Sequence, residues 1–307
     1  MKFFDILKNI FFLLIFLQFV PLLIDGVRKQ YNQIMEPRTK VGVIMINGVL
    51  SDSAPYTKQL TRYFKDPSIK AILLKVDSPG GAAGTGEAIY NEIISLKNAP
   101  EYHKKPIVTL VENTCASTAY HIACASDYII APATSLIGSI GATLPNLAFF
   151  HLHEFLAQHK IGYKPIYAGA YKNCIDPLTN ATPEQEALLQ GLLNDSYETF
   201  AQAVATSRKL SLNAKDTWAN GKIFTGKQAK ELGLIDENGS SYNAIKVIRE
   251  KALIEGEIEW VKQPLPSAFS QFFSGSSTPD DDTSLLSSCV HDVCATLEHR
   301  YNSNTLQ

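Results

Sequence analysis

Runs of apolar, often β-branched residues alternate with segments of helical spacing along much of this 307-residue chain. Residues 41–46, 69–76, 107–111 and 128–131 are typical of buried strands, and residues 163–167 predict a further one. Residues 56–65, 85–97, 182–209 and 241–252 are predicted to be helices. Such an alternation indicates an α/β layered fold.

Composition and charge exclude several classes of protein. Hydrophobic residues make up 45% of the chain, which is enough for a sizeable core. The net charge of −2 provides no basic surface, so we expect no nucleic-acid partner. The five cysteines form no CxxC pair, and their odd number argues against a fully paired disulfide framework. His151 and His153 would face different sides of a helix, so no metal site is predicted. No cofactor is predicted either.

The N-terminal segment is strongly hydrophobic. Residues 10–24 are almost entirely Phe, Leu, Ile and Val. A membrane-spanning helix needs about 20 apolar residues. Residues 3–24 reach that length if Lys2, Asp5 and Lys8 lie at the interface. A cleavable signal peptide is the alternative, but no small-x-small cleavage site follows. We therefore predict an uncleaved membrane anchor over residues 3–24, whose orientation the flanking basic residues leave open.

Composition divides the chain into four predicted segments. A membrane anchor at residues 1–30 is followed by a polar linker at 31–40 and a folded domain at 41–263. The remaining residues, 264–307, are rich in Pro, Ser and Asp. Such a composition predicts a flexible tail, because it offers little apolar surface to bury.

Two strand-to-helix turns have chemically notable residues. The first contains Ser-Pro-Gly-Gly at 78–81, where glycine allows a ligand to approach free backbone N–H groups. No Gly-Lys-Ser/Thr follows it, so a phosphate loop is not predicted. The second turn contains Ser117 ahead of a short helix, where N–H groups and the helix dipole favour a developing negative charge. Ser117 is therefore a candidate nucleophile, although serine is also a common N-cap.

Five segments, in order along the chain, resemble the signal peptide peptidase A family of serine–lysine proteases in its short form. They are Ser-Pro-Gly-Gly at 78–81, Ala-Ser-Thr-Ala-Tyr at 116–120, Gly-Ser-Ile-Gly at 138–141, Ala-Gly-Ala-Tyr-Lys at 168–172, and Gly-Lys-Ile-Phe-Thr-Gly at 221–226 with Gly-Leu-Ile-Asp at 233–236. Each motif is weak alone, but five in the right order are specific. The resemblance implies a Clp/crotonase-like fold of repeated strand-strand-helix units, and a serine–lysine protease domain over residues 41–263.

The same resemblance implies a catalytic dyad. Ser117 matches the family's nucleophile, and Lys172 matches the general base that takes its proton and later protonates the leaving amine. Such a base must be neutral, and burial among apolar groups favours the neutral form of a lysine. A solvated loop lysine is the alternative interpretation of Lys172.

Further residues would support this dyad. The backbone N–H groups of Gly80 or Gly81, together with that of the nucleophile or of Thr118, are the predicted oxyanion hole. The hydroxyl groups of Ser139 and Thr114 are candidates for orienting the lysine.

The sequence departs from the family's pattern close to the predicted site. Thr118 and Ala119 replace the two glycines that usually follow the nucleophile, and His121 replaces a second aromatic residue. Asn173 stands where the family has an aspartate, and the arginine common before the long helix is absent from residues 176–183. Substrate preference is therefore open, and a catalytically weakened or inactive scaffold of the same fold is one alternative.

Two other enzyme classes fit the sequence less well. A crotonase-type acyl-CoA enzyme would share the fold, but it would be expected to use carboxylates and would rarely carry a membrane anchor. A cysteine nucleophile, Cys115 or Cys174, would need a histidine in a recognisable context, which His121, His151 and His153 do not provide.

The resemblance thus predicts a membrane-anchored serine endopeptidase that cleaves apolar, extended peptides such as remnant signal peptides. Pockets lined by small and apolar residues would prefer small or aliphatic side chains. The family analogy also predicts a homo-oligomer with subunit contacts around residues 180–210. It places the chain as a single-pass protein in the cell (inner or cytoplasmic) membrane, with an extracytoplasmic catalytic domain.

Overall fold

A computed structural model describes residues 2–35, 38–144 and 152–262 of the chain. The predicted tail at 264–307 lies outside the described residues. The first helix, α1 (Lys2–Met35), contains Pro21 and extends into the segment predicted as a linker.

None of the helices among the described residues is both long enough and apolar enough to span a bilayer. The predicted anchor over residues 3–24 therefore has no support from the structure.

One mixed sheet organises the rest of the described chain. Its central strands β1, β2 and β3 are parallel neighbours, and β8 lies parallel to β1 at the edge. Both β4 and β5 pair with β3, while β6 runs antiparallel to β5 and β7 pairs with β4. The strands are β1 (Thr39–Leu50), β2 (Ile69–Gly81), β3 (Ile107–Ala116), β4 (Tyr128–Ala131), β5 (Leu136–Gly138), β6 (Ile223–Thr225), β7 (Glu237–Asn238) and β8 (Ile258–Lys262).

Helices connect the central strands, which confirms the predicted mixed α/β class. The closer assignment to a Clp/crotonase-like fold stays a prediction. Helix α2 follows β1, and α3 follows β2. The helices after α1 are α2 (Ala54–Lys65), α3 (Ala83–Asn98), α4 (Thr118–Ala123), α5 (Leu152–Gln158), α6 (Pro183–Arg208), α7 (Lys215–Trp218), α8 (Gly226–Glu231) and α9 (Ser241–Ala252), with a 3₁₀ turn at Leu212–Ala214.

The strand predicted at residues 163–167 is wrong, because this segment has no regular structure. Pro165 lacks the N–H group that a strand would donate, and no described strand pairs with this segment. Ile166 is 97% exposed, so its apolar side chain does not contribute to the core.

Both faces of the sheet are buried, which explains the continuous apolar runs of the central strands. Successive residues of a strand point to opposite faces. Val43 accordingly joins a core with the α9 residues Val247 and Ile248, whereas its neighbour Ile44 joins a larger core with residues of α3, α4 and α6.

A buried lysine secures the chain just before β3. Lys105 is only 5% exposed, and its amine donates hydrogen bonds to the carbonyl oxygens of Tyr63 (2.6 Å) and Asp66 (2.5 Å), at the end of α2. Burial lowers the pKa of Lys105, and the nearby Asp66 carboxylate opposes this effect. The amine thus binds carbonyl groups at the C-terminal end of α2, where a helix provides no internal partner, and at Asp66 it adds to the bond from the Ile69 N–H.

Replacing this amine should destabilise the domain. We expect Lys105→Met to lower the free energy of unfolding by about 2 to 3 kcal/mol, since two charge-assisted bonds are lost while the apolar stem is retained. Urea unfolding of full-length protein in detergent would measure it. Lys104→Met, at an exposed neighbouring lysine, is the matched control. Equal stability of the two variants would contradict this role.

Candidate active site

Ser117 occupies a strained turn between β3 and α4. Its backbone angles, φ 52° and ψ −127°, lie in a region that residues other than glycine avoid. The Ser117 N–H donates to the Gly138 carbonyl at 2.7 Å, and the Ser117 carbonyl accepts from the His121 N–H at 3.0 Å. Both sides of the residue are therefore held in place, as in the sharp strand-to-helix turns that present a nucleophilic serine.

The Pro-Gly-Gly turn at the end of β2 lies directly against Ser117. Gly80 has φ 108°, and a Cβ atom there would be 2.8 Å from Ser117 Cβ and 2.9 Å from the Ala116 carbonyl oxygen. At Gly81, a Cβ atom would be 2.0 Å from the Leu50 carbonyl oxygen. Only glycine fits this approach at either position, so both residues are required for the geometry.

Two polar side chains of this turn tie the ends of three strands together. Ser78, which is fully buried, donates to the Gly48 carbonyl at 2.6 Å and accepts from the Gly80 N–H at 3.1 Å. Asp77 accepts from the Thr114 N–H at 3.1 Å and from the Asn113 amide at 2.8 Å. Sequence reasoning missed these positioning roles, although both residues directly precede the Pro-Gly-Gly turn.

Thr118 joins the two turns. Its hydroxyl group donates to the Gly81 carbonyl at 2.9 Å, and its methyl carbon faces Gly86. A Cβ atom at Gly86 would be only 2.6 Å from that methyl carbon, so the missing side chain provides the space that threonine needs. The Thr118 N–H lies in the first turn of α4, where a helix offers it no internal partner.

Ser117 faces a cavity of about 660 Å³. The turn after β2, the segment after β5 and one face of α6 form its walls. The described residues of its lining combine small and apolar side chains with several hydroxyl groups and one carboxylate. The lining includes Gly81, Ala82, Glu87, Thr118, His121, Ser139, Ala142, Ser196, Thr199 and Phe200.

Two of the predicted site residues lie apart from this cavity. Lys172 is exposed on an irregular segment, and its backbone N–H donates to the Gly169 carbonyl at 3.1 Å. The Gln185 side chain anchors the same segment to α6 through a 2.7 Å bond to the Ala170 carbonyl. Thr114 lies on β3, outside the lining. One chain therefore brings Gly80, Gly81, Thr118 and Ser139 to Ser117, but not Lys172 or Thr114.

His121 lies one helical turn after Ser117 and is only 5% exposed. Its ring stacks on Phe200, with 4.5 Å between centroids, and is tilted against Tyr90 at 5.0 Å. Its Nε2 atom has no hydrogen-bond partner among the described residues. Burial lowers the pKa of His121 from 6.5 to about 4, so the ring is neutral at neutral pH. From the sequence alone, His121 is a departure from the family's pattern and a histidine that does not suit a cysteine nucleophile, so neither its burial nor its place in the cavity wall was predicted.

The buried cysteines do not have the properties of nucleophiles. Burial raises the pKa of Cys115 far above its ordinary range and that of Cys124 to about 12, so both remain thiols at neutral pH. Cys174 is half-buried, and the side chains of His151 and His153 lie outside the described residues.

The buried histidine predicts a loss of stability in acid. Between about pH 6.5 and pH 4 the unfolded chain binds a proton at His121 that the folded protein does not bind, so stability falls as pH is lowered. We expect a decrease of up to about 3 kcal/mol across this window, and His121→Phe should remove it. Urea unfolding at several pH values measures the effect. His103→Phe, at an exposed histidine, is the control, and an unchanged pH dependence in His121→Phe would contradict the prediction.

Comparisons with known proteins agree with the resemblance seen in the motifs. The chain is 37% identical, over 201 residues, to a putative protease of Methanocaldococcus jannaschii, covering 66% of this chain and 62% of the relative. It is 30% identical to a putative signal peptide peptidase SppA of Enterococcus faecium, covering 71% and 66%. It is 28% identical to the chloroplastic serine protease SPPA of Arabidopsis thaliana, covering 75% and 35%. The chain thus spans less than two thirds of the length of each of these relatives.

The family model described as peptidase family S49 matches residues 100–255, which is half of the chain and includes both Ser117 and Lys172. The predicted relationship to signal peptide peptidase A is confirmed by these matches. The chain therefore belongs to peptidase family S49.

Proposed function

We propose that this protein is a serine endopeptidase in which Ser117 is the nucleophile and Lys172 the general base. The observation that carries the proposal is the strained Ser117 turn, which presents its side chain to a cavity while Gly80 lies against it. A strained turn that the surrounding structure holds in place is typical of a functional site. Membership of a peptidase family supports the same reaction.

In the proposed reaction, Ser117 Oγ attacks the peptide carbonyl while the neutral Lys172 amine accepts its proton. The lysine then donates that proton to the leaving amine, and water hydrolyses the acyl-enzyme. The Ser117 N–H already donates to Gly138, so Thr118 is the better oxyanion donor on this side. The Gly80 N–H likewise already donates to the Ser78 hydroxyl group, so Gly81 is the better second donor. Such a donor contributes about 3 to 4 kcal/mol in comparable sites.

The position of Lys172 supports a base that comes from a second copy of the chain. The lysine is exposed and lies outside the cavity that contains Ser117. Tyr167 and Tyr171 nearby are each 50% exposed, and Ile175 is 58% exposed. Covering these apolar groups in a homo-oligomer would remove water from the amine, which favours its neutral form.

The proposed substrates are apolar, extended peptides, such as remnant signal peptides. The name of the Enterococcus faecium relative supports this class. Small residues on the cavity wall, including Ala82, Ala83 and Ala142, leave room for a peptide backbone to reach Ser117.

A fluorophosphonate probe tests the dyad. We expect labelling of wild-type protein at Ser117 and no labelling of Ser117→Ala or Lys172→Ala, because the hydroxyl needs a base. Lys164→Ala, at an exposed lysine of the same segment, should label normally. If the wild-type protein is labelled no better than Ser117→Ala, the proposed dyad is contradicted and the alternative, a catalytically inactive scaffold of the same fold, is favoured.

Mixed oligomers test where the lysine comes from. Ser117→Ala and Lys172→Ala subunits, each inactive alone, are co-expressed. With a base supplied across a head-to-tail interface, about a quarter of the sites in a random mixture would combine an intact serine with an intact lysine. Labelling should therefore return to that fraction of the wild-type level. No recovery would contradict a base from a second copy and favour a dyad within one chain.

We also propose that α1 associates the protein with a membrane surface. Most of its described side chains between residues 11 and 27 are exposed, including Phe12, Phe16 and Phe19 at 57 to 60%. Exposed apolar area of this extent favours an apolar environment. Full-length protein should co-sediment with lipid vesicles, whereas protein lacking residues 2–27 should remain in the supernatant. Equal partitioning of the two proteins would reject this association.

A further inference from the structure

We infer that the cavity beside Ser117 is a subsite for a basic substrate side chain, held by the carboxylate of Glu87. The inference rests on the proposed function, since it takes a peptide as the ligand. It adds a specificity-determining residue that the sequence motifs do not include.

Among the described residues that line the cavity, Glu87 is the only carboxylate, and none of them is a lysine or an arginine. Its side chain is exposed, and no cation of the described ranges forms an ion pair with it. Asp127 and Asp236, by contrast, pair with Lys97 at 2.6 Å and Arg208 at 2.9 Å. The Glu87 charge is therefore available to a ligand.

The packing of α3 on α4 places Glu87 in the wall of the cavity that contains the nucleophile. Gly86 lies against the methyl group of Thr118, the residue that follows Ser117. One turn further along both helices, the rings of Tyr90 and His121 are in contact. Glu87 follows Gly86 directly and lines the same cavity as Ser117. A side chain that enters this cavity therefore belongs to a substrate residue close to the bond that is cut.

The other polar groups of the wall suit a hydrogen-bond donor. Ser196 and Thr199 lie three residues apart on one face of α6, and their hydroxyl oxygens can accept hydrogen bonds. His121 in the same wall is uncharged at neutral pH, so it adds no repulsion, and its Nε2 atom has no partner among the residues that the structure describes. A lysine or arginine side chain offers only donors and carries an apolar stem. An acidic side chain would instead face the Glu87 carboxylate.

Peptide binding tests this assignment without depending on hydrolysis. Full-length Ser117→Ala in detergent is titrated against fluorescent peptides with blocked ends, built from Ala and Leu, with one Lys, Gln or Glu moved through each position. We expect one position at which Lys binds at least about five-fold more tightly than Glu, as an exposed ion pair can provide. Adding Glu87→Gln should reduce this preference toward unity, and Glu87→Lys should reverse it. Glu101→Gln, at an exposed glutamate away from the cavity, should leave it unchanged.

The two proposals can fail separately. Equal binding of the Lys and Glu peptides at every position, or a Lys preference that survives Glu87→Gln, would overturn the subsite. Probe labelling of wild-type Ser117 does not depend on the peptide side chain. Hence loss of the Lys preference with intact labelling rejects only the subsite, whereas absent labelling with a Glu87-dependent preference rejects only the protease.

Discussion

The contact between Gly80 and Ser117 is the constraint on which the candidate site depends. Both residues have positive φ, as do Gly138 and Ser139, so unusual backbone conformations occur at the ends of three neighbouring strands, β2, β3 and β5. No single turn would hold a serine at φ 52° on its own. Here the parallel pairing of β2 with β3, and of β3 with β5, holds the turns together, and the Ser117 N–H bond to Gly138 connects them. The cores on both faces of the sheet therefore support the geometry of the serine.

The same contact explains how this chain differs from the family's pattern without losing the turn. A threonine after the nucleophile is larger than the usual glycine, but Gly86 on α3 leaves space for its methyl group. The Thr118 hydroxyl also gains a bond to the Gly81 carbonyl, so the two turns are joined by a side chain as well as by packing. A substitution compensated in this way does not by itself argue for an inactive scaffold.

Local patterns predicted the parts of the structure that local physics determines. The strands around residues 69–76 and 107–111 were recognisable because both faces of the sheet are buried. The helix predicted from residue 182 is fixed locally as well, because Thr182 caps α6 through reciprocal bonds with Gln185. The cavity was not predictable, since Ser196 and Thr199 reach it only through the packing of α6. The prediction for the segment at 163–167 was wrong because its apolar residues are exposed. A local apolar pattern does not distinguish side chains that are buried in a core from side chains that lie on the surface.

In the proposed mechanism, the base becomes active only when the exposed segment that contains Lys172 is covered by a second copy of the chain. A lysine in water is protonated at neutral pH and cannot accept the serine proton. Ser117 is already held in its strained conformation within one chain, whereas Lys172 lies on an exposed surface beside exposed tyrosines. Association that covers this surface would both deliver the lysine and remove its water, two conditions that a Ser–Lys dyad requires together. The monomer would then hold an oriented nucleophile without a base, and proteolysis would begin only where copies of the chain meet.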